Sequence, residues 1–460
     1  MTASNRYLPA VAACVLIAAP AGCSRDTVLG VDNPDIVDPA SLNSPDGADG
    51  LRIGAIKYFK FMTAADESSW FYGGLLVDEW KSADTFTQRD EADQRSVTEQ
   101  NALVTVAYRD IHRARVQAFQ AIASLQKWQP TAKAKVGEMF FVKGYAELQS
   151  SLDFCNGQPF ADLSSGSAAL GVPVSGDSAA KLALASFDSA LTYATATDSI
   201  SQRVLYSAQV GRGRALLALG RLNEAGVAVA SVPKTFSFNL TWPTTQGKED
   251  NLIWTLANSA KRYTVQDSLD TQGGVIPNAL PFVSAKDPRV PVVRTIAKSG
   301  KQVTGFDGVT PWDAQQVFPF FNSVVPVASY VDAQLILAES QLAAGGTGWL
   351  ATLNALRTGP TNLGNVLVSG MAPLADPGTA DKRIALLFRE RAFWTFGRGQ
   401  RLGDLRRELR VYKRPVEQVF PGQGAINPRK NAPYGSDVNL PVPQAERNNA
   451  KFGGCTDRSA

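Results

Sequence analysis

Apolar residues recur at steps of three, four or seven positions along much of this chain, a spacing that places side chains on one face of an α-helix. The first long series begins at Val104 and ends before Pro130, with apolar members Tyr108, Ile111, Ala118, Ile122 and Leu125. The same spacing predicts further helices over residues 131–153, 178–195, 202–219 and 382–396. We therefore expect an all-α, mainly helical fold.

Residues 208–225 have the pattern of a helical hairpin. Gly220 ends one predicted helix, and Asn223, Glu224 and Ala225 open the next, which resembles the turn of a tetratricopeptide (TPR) repeat. The alternative is an ordinary alanine-rich hairpin, but a similar helix–turn–helix pattern returns at 328–357. We predict a TPR-like scaffold over about 90–231 and 328–410.

Two stretches between the predicted helices are rich in proline and glycine. Residues 232–327 and 359–379 are predicted to form long irregular loops with few short strands, one of them at 292–296. Long loops in an ordered domain are more often functional than idle. We therefore expect these two loop-rich stretches to form the ligand side.

Charge and composition exclude several classes of protein. The chain has 46 basic and 42 acidic residues, one histidine and four cysteines. An even charge balance does not suggest nucleic-acid binding, which needs clustered positive charge. The scarcity of histidine and cysteine argues against most metal sites built on those ligands. No metal or other cofactor is predicted.

The N-terminus has the features of an export signal. Arg6 precedes an apolar run over 7–21 that is too short to span a bilayer. The run ends in Pro20, Ala21, Gly22 and Cys23, which resembles a bacterial lipobox. We predict a signal peptide over 1–22, lipidation of Cys23 and a mature chain of 23–460. The alternative is plain secretion after cleavage near Ala21.

Export to an oxidising compartment permits a disulfide. With Cys14 removed and Cys23 lipidated, two cysteines remain, and both lie in turn-like settings. We predict that Cys155 and Cys455 pair, which would tie the C-terminal tail to the first half of the chain.

No catalytic residues are predicted. The single histidine, His112, lies beside the apolar seam of a predicted helix, and the neighbouring carboxylates Asp78 and Glu79 project in different directions. The basic run between Arg398 and Arg414 would suit anion binding, but Asp404 lies within it at helical spacing. We favour a structural ion network there.

Aromatic residues supply the ligand-binding candidates, because sugar rings stack on flat aromatic faces. One cluster comprises Trp70, Tyr72 and Trp80, which either form a ligand platform or fill the core. A second set lies in the irregular region and comprises Tyr263, Phe306 and Trp312. For Trp312 the alternative is a ring packed beneath its own loop.

Four groups of segments, in this order, resemble the SusD/RagB family of nutrient-uptake outer-membrane lipoproteins. They are Cys23 with Asp32-Asn33-Pro34; 108–114 with 144–148 and 157–160; 329–340 with 353–357; and 389–392 with 401–407.

The resemblance implies a helical fold built on TPR-like pairs and no enzymatic activity. It implies an outer-membrane lipoprotein facing the cell exterior that captures an oligosaccharide or peptide. The implied partner is a SusC-like, TonB-dependent barrel transporter, to which the lipoprotein delivers its ligand. Two alternatives remain open, namely a periplasmic or surface TPR scaffold for protein partners and a glycoside hydrolase.

Overall fold

The computed structural model describes residues 42–162, 169–269, 274–422, 425–427 and 432–458. The predicted signal peptide and Cys23 lie outside these ranges. Within them the chain is mainly helical with short strands, so the predicted all-α, TPR-like fold class is confirmed.

The helices form two groups that are separated by an irregular region. The first group is α1 (Pro45–Ala64), α2 (Ser69–Leu76), α3 (Thr87–Asp93), α4 (Ala102–Trp128), α5 (Lys133–Asp153), α6 (Gly176–Tyr193), α7 (Ser199–Ala218) and α8 (Leu222–Val229). The region between holds a single turn, α9 (Leu252–Trp254), which continues into a π-helix over Thr255–Ser259. The second group is α10 (Tyr330–Ala343), α11 (Gly348–Thr358), α12 (Ala380–Trp394) and α13 (Arg401–Arg410). In the described ranges, no helix combines the length and the hydropathy that crossing a membrane requires.

Local sequence fixes where several helices begin. The Asn101 side chain accepts hydrogen bonds from the first amides of α4, and Asp198 does the same for α7. Ser44, Ser175 and Ser329 cap α1, α6 and α10. A side-chain cap satisfies amides that have no partner within the helix, so these residues act as start signals.

Helices that are near in sequence pack against one another, from α4 against α1 and α5 through to α10 against α8 and α11. Small residues let the layers approach closely. The buried ring of Phe187 on α6 lies against Gly144 of α5 and Gly211 of α7, where any side chain would meet it. The TPR-like hairpin between α7 and α8 turns at Gly220, as the sequence predicts.

The described strands are short, and those that are named pair in antiparallel twos. They are β1 (Trp80–Ser82) with β5 (Tyr263–Val265), β2 (Gln158–Asp162) with β3 (Ala169–Val174), β4 (Ser237–Leu240) with β8 (Val325–Ser329), β6 (Val292–Arg294) with β7 (Asp313–Gln315), β9 (Thr361–Asn362) with β10 (Leu367–Val368) and β11 (Ile426–Asn427) with β12 (Ala432–Pro433). The β1–β5 pair joins the first helices to the irregular region.

Arg407 of α13 belongs to a buried ion network with arginines that precede the helix. Arg407 Nε lies 2.6 Å from Glu339 Oε1, and Arg391 Nε lies 2.8 Å from Asp404 Oδ2. Just before α13, Arg398 lies 2.6 Å from Asp332. Buried charges are tolerated when they are paired and hydrogen-bonded. The structure therefore supports the ion-network interpretation of the basic run.

A disulfide between Cys155 and Cys455 is present in the structure, with the two Cα atoms 5.6 Å apart. It attaches the tail to the chain just after α5. The tail is also held by hydrogen bonds from Asn156 to the Asp457 side chain. The covalent link and these polar contacts fix the C-terminus against the first helical group.

Candidate functional site

The alternation of side chains along β1 and β5 divides the region into two faces. Trp80 lies opposite Val265, and Ser82 lies opposite Tyr263, on the face that meets the core. Lys81 lies opposite Thr264 on the other face, and both line a large cavity. The strand pair therefore forms a wall between the hydrophobic core and this cavity, which has both polar and apolar lining residues.

Four of the six aromatic candidates lie on the core side. Trp70, Tyr72, Trp80 and Tyr263 are exposed by 1% or less. Tyr263 stacks on Phe71 with ring centroids 4.2 Å apart. A ring that is covered on both faces offers no surface to a sugar. For Trp70, Tyr72 and Trp80 the ligand-platform hypothesis therefore gives way to its alternative, in which they fill the core, and Tyr263 of the second candidate set is buried beside them.

Trp312 is also largely enclosed, with 8% of its surface exposed. Its Nε1 donates a hydrogen bond to the Ala257 carbonyl oxygen at 2.8 Å, within the π-helix. The Nζ atom of Lys261 lies 5.0 Å from its ring centroid. The ring thus packs beneath its own loop, and its Nε1 atom is already engaged.

Phe306 is the candidate that faces solvent, with 51% of its surface exposed. The guanidinium of Arg262 lies 4.0 Å from its ring centroid, and the same guanidinium lies 5.6 Å from the ring of Phe86. Phe86 is 49% exposed. These three residues form a solvent-facing surface of two rings with a cation between them, which we call the aromatic platform.

A chain of ion pairs fixes the platform from below. Arg262 Nη1 lies 2.8 Å from Asp84, and Asp84 also pairs with Arg89. Arg89 Nη2 lies 2.7 Å from Glu67, which accepts a 2.6 Å hydrogen bond from the Tyr72 hydroxyl. Burial raises the pKa of the Glu67 carboxyl above its usual value, and the Arg89 charge opposes that shift. Tyr72 thus supports the platform without facing a ligand.

Close backbone contact positions the loop that carries Phe306. The Phe306 amide donates to the Lys261 carbonyl oxygen at 2.9 Å, and the Asp307 amide donates to the Ala83 carbonyl oxygen at 3.0 Å. A side chain on Gly305 would overlap Ala83. Glycine is required where two backbones approach this closely. The sequence at 305 therefore helps to place Phe306 beside Phe86.

The cavity behind β1 and β5 has a volume of about 820 Å³. Its wall includes Thr310 and Pro311, which belong to the same loop as Phe306, so this loop borders both the platform and the cavity. Clefts of a few hundred to about 1,000 Å³ are typical of small-molecule sites. The platform and the cavity together lie on the loop-rich stretch 232–327 and on the β1 segment that pairs with it.

The carboxylates considered for catalysis are not accessible. Asp78 and Glu79 are both fully buried, and burial is the main cause that raises the pKa of each to about 8. His112 packs between the rings of Tyr108 and Phe160. In the described part of the chain, no three histidine, cysteine, aspartate or glutamate side chains are grouped to hold a metal ion.

Sequence analysis missed Phe86 and Arg262. Phe86 is a single aromatic residue among polar neighbours, Asp84, Thr85 and Thr87, just after a strand. That isolation is a signal of exposure, because a core ring usually has apolar neighbours at helical or strand spacing. Nothing in the sequence indicates that Arg262 lies between two rings, since that depends on the pairing of β1 with β5.

Comparison of the sequence with protein-family models and with curated proteins finds no match. Solved structures do match. A SusD-like protein from Bacteroides fragilis has a TM-score of 0.63 at 12% identity, covering 92% of this chain and 98% of that one. Surface glycan-binding protein A from Bacteroides uniformis has a TM-score of 0.60 at 13% identity, covering 90% of this chain and 99% of that one.

A laminarin-binding SusD-like protein matches at a TM-score of 0.60 and 11% identity, covering 90% of this chain and 99% of that one. At identities this low the likeness establishes the fold, and it does so over almost the full length of each protein. The SusD/RagB resemblance of the sequence is thereby confirmed at the level of architecture. The chain has the SusD-like fold.

Proposed function

We propose that this protein binds an oligosaccharide at the cell surface through the aromatic platform and passes it to a SusC-like, TonB-dependent outer-membrane barrel. The observation that carries the proposal is the solvent-facing pair of rings, Phe86 and Phe306, held by buried ion pairs on a SusD-like fold. Of two proteins of similar fold, one is described as a surface glycan-binding protein and the other as laminarin-binding.

The chemistry of the platform suits a sugar better than a peptide or a purely apolar ligand. The faces of Phe86 and Phe306 offer stacking surfaces for the C–H-bearing faces of sugar rings. Arg262 keeps part of its guanidinium exposed between them, where its remaining N–H groups are available to hydroxyls. Because the ion pairs beneath fix Arg262, little side-chain entropy is lost on binding.

The rest of the proposal concerns location and partner. Cys23 carries the lipid anchor, and the loop-rich stretches 232–327 and 359–379 face the ligand. The anchored protein lies at the outer membrane, facing the cell exterior, where the barrel is its partner. Co-purification of the lipidated chain with a barrel transporter supports this part, and co-purification with assembly factors alone contradicts it.

The platform is tested by replacing its rings. Glycan-array screening of the wild type identifies a ligand, and titration calorimetry then compares F86A and F306A with the wild type. We expect each variant to weaken binding by about 10-fold, which is the loss of one stacking contact of about 1.4 kcal/mol.

The matched control is F320A, which removes another exposed phenylalanine, 64% exposed, outside the platform. It should leave the affinity unchanged. Circular dichroism should show the same helicity in all variants. If F86A and F306A bind as tightly as the wild type, the platform is not the glycan site.

A further inference from the structure

The cavity beside the platform contains a lysine whose position is unusual. Lys81 lies at the centre of β1 and is only 6% exposed. Among the described residues its ammonium group forms no hydrogen bond or ion pair, although its charge helps to lower the pKa of Asp78. Burying an ammonium group away from water is costly unless a partner compensates it. Other buried cations in the described chain, such as Arg289 and Arg407, pair with carboxylates.

The carboxylates that line the same cavity are already engaged by other groups. Asp313 accepts from Arg294 at 2.7 and 2.9 Å and from Gln302 at 3.2 Å. Asp287 accepts from Arg289 at 2.8 and 2.7 Å.

The third carboxylate of the wall, Asp267, accepts from the Ser284 hydroxyl at 2.9 Å and from the Ser284 amide at 3.1 Å. Each of the three cavity carboxylates therefore already has an arginine or hydrogen-bond donor of the protein as its partner. Two lysines of the wall, Lys81 and Lys286, form no side-chain hydrogen bond or ion pair in the described chain, and of these Lys81 is the buried one.

We propose that Lys81 binds the anionic group, a carboxylate or a sulfate, of an acidic sugar residue that enters this cavity. The inference rests on the proposed glycan-binding function and specifies its ligand class. The loop that carries Phe306 also supplies Thr310 and Pro311 to the cavity wall. One oligosaccharide would thus stack a ring on the platform and place its acidic neighbour against Lys81. A charge-assisted hydrogen bond to a largely buried ammonium group is stronger than one at an exposed surface.

Three probes separate the possible sources of the charge. Oligogalacturonate carries carboxylates, a carrageenan oligosaccharide carries sulfates, and laminarin is neutral. Calorimetry compares the wild type with K81M, which keeps the length of the side chain and removes its charge. We expect K81M to weaken binding of the preferred acidic probe by about 10-fold or more, as is typical of a lost hydrogen bond to a charged group.

The matched control is K286M, because Lys286 lies at the exposed edge of the same cavity. It should change the affinity by less than the K81M variant does. K81R should retain binding of the acidic probe. K81M should remain folded, because it removes an unpaired buried charge, and K81Q serves as the second variant if it does not.

The outcomes distinguish this inference from the proposed function. Binding of laminarin with no binding of either acidic probe overturns the inference and leaves glycan binding intact. Equal affinity of the wild type, K81M and K81Q for an acidic probe also overturns it. Failure of the wild type to bind any glycan on the array contradicts the proposed function itself.

Discussion

At the scale of single residues, Asp78 and Glu79, which precede β1, are buried carboxylates that form no ion pair among the described residues. Both oxygens of Asp78 are buried without a hydrogen-bond partner, and the residue has a positive φ of 56°. Burial is the main cause that raises its pKa to about 8; the charge of Asp93 adds to the shift, and Arg401 and Arg95 oppose it. Burial likewise raises the pKa of Glu79 to about 8.

These shifts make stability depend on pH in a defined direction. The folded pKa of Asp78, about 8, lies above the ordinary value of 3.8, so the folded state binds the proton more tightly than the unfolded state does. The stabilisation is complete below about pH 4 and is lost as the pH rises towards 8, with a slope of at most about 1.4 kcal/mol per unit. Asparagine cannot ionise, and it tolerates a positive φ.

We therefore expect the free energy of unfolding of D78N, relative to the wild type, to increase between pH 5 and pH 8. Urea unfolding at pH 5, 6.5 and 8 measures the free energy of unfolding of both proteins. The control is D46N, which replaces an exposed carboxylate at the start of α1. A difference between D78N and the wild type that stays constant over this range would show that Asp78 is ionised in the folded protein.

Residue type alone did not separate the core from the site. Trp80 and Phe306 are both large aromatic residues near polar neighbours, but one is enclosed and the other is exposed. Trp80 is enclosed because it lies on the core face of the β1–β5 pair, whereas Phe306 lies on the loop that Gly305 places against Ala83. Both features depend on tertiary structure. For that reason the sequence could name Phe306 only as one candidate among six.

At the scale of elements, helix packing depends on the small residues that face Phe187. A Cβ atom on Gly211 of α7 would lie 2.6 Å from the Phe187 Cζ atom, well inside van der Waals contact. Phe187 is fully buried, so its ring has little room to move. Adding a methyl group to a packed core forces strain into the surrounding helices.

We expect G211A to lower the free energy of unfolding by about 1–3 kcal/mol. The matched control is G50A, because a Cβ atom on Gly50 of α1 would meet nothing within 4 Å. That substitution should raise stability by about 0.5–1 kcal/mol, since alanine favours helix more than glycine does. Urea denaturation at a single pH compares the free energies of unfolding of G211A and G50A with that of the wild type. A neutral or stabilising effect of G211A would contradict the close packing of α6 and α7.

Periodicity predicted α4–α7 and α12 to within a few residues but did not predict α2. All eight residues of α2, Ser69–Leu76, are buried, so the helix has no polar face and shows no period of 3.6. A short apolar run is equally consistent with a buried strand. The start of α1 did carry a signal, because Ser44 caps the helix and Pro45 occupies its first turn.

At the scale of the whole molecule, the candidate site joins parts of the chain that are distant in sequence. Phe86 follows β1 near the first helices, whereas Arg262 and Phe306 belong to the irregular region between the two helical groups. Local patterns predict helices well because the contacts involved are near in sequence. They do not specify a short strand pairing such as β1 with β5, which brings these segments together.

The helical groups form a packed frame, and the candidate site combines the loops between them with the segment that follows β1. This arrangement agrees with the general use of loops on a packed scaffold for recognition.

The most direct test of the central claim is a crystal structure of the protein with an oligosaccharide selected from the glycan array. The account predicts a sugar ring stacked on Phe306 or Phe86 at van der Waals distance, about 4 Å, with a hydroxyl within hydrogen-bonding distance of Arg262. Electron density for the sugar elsewhere on the protein, with both rings left uncovered, would contradict it.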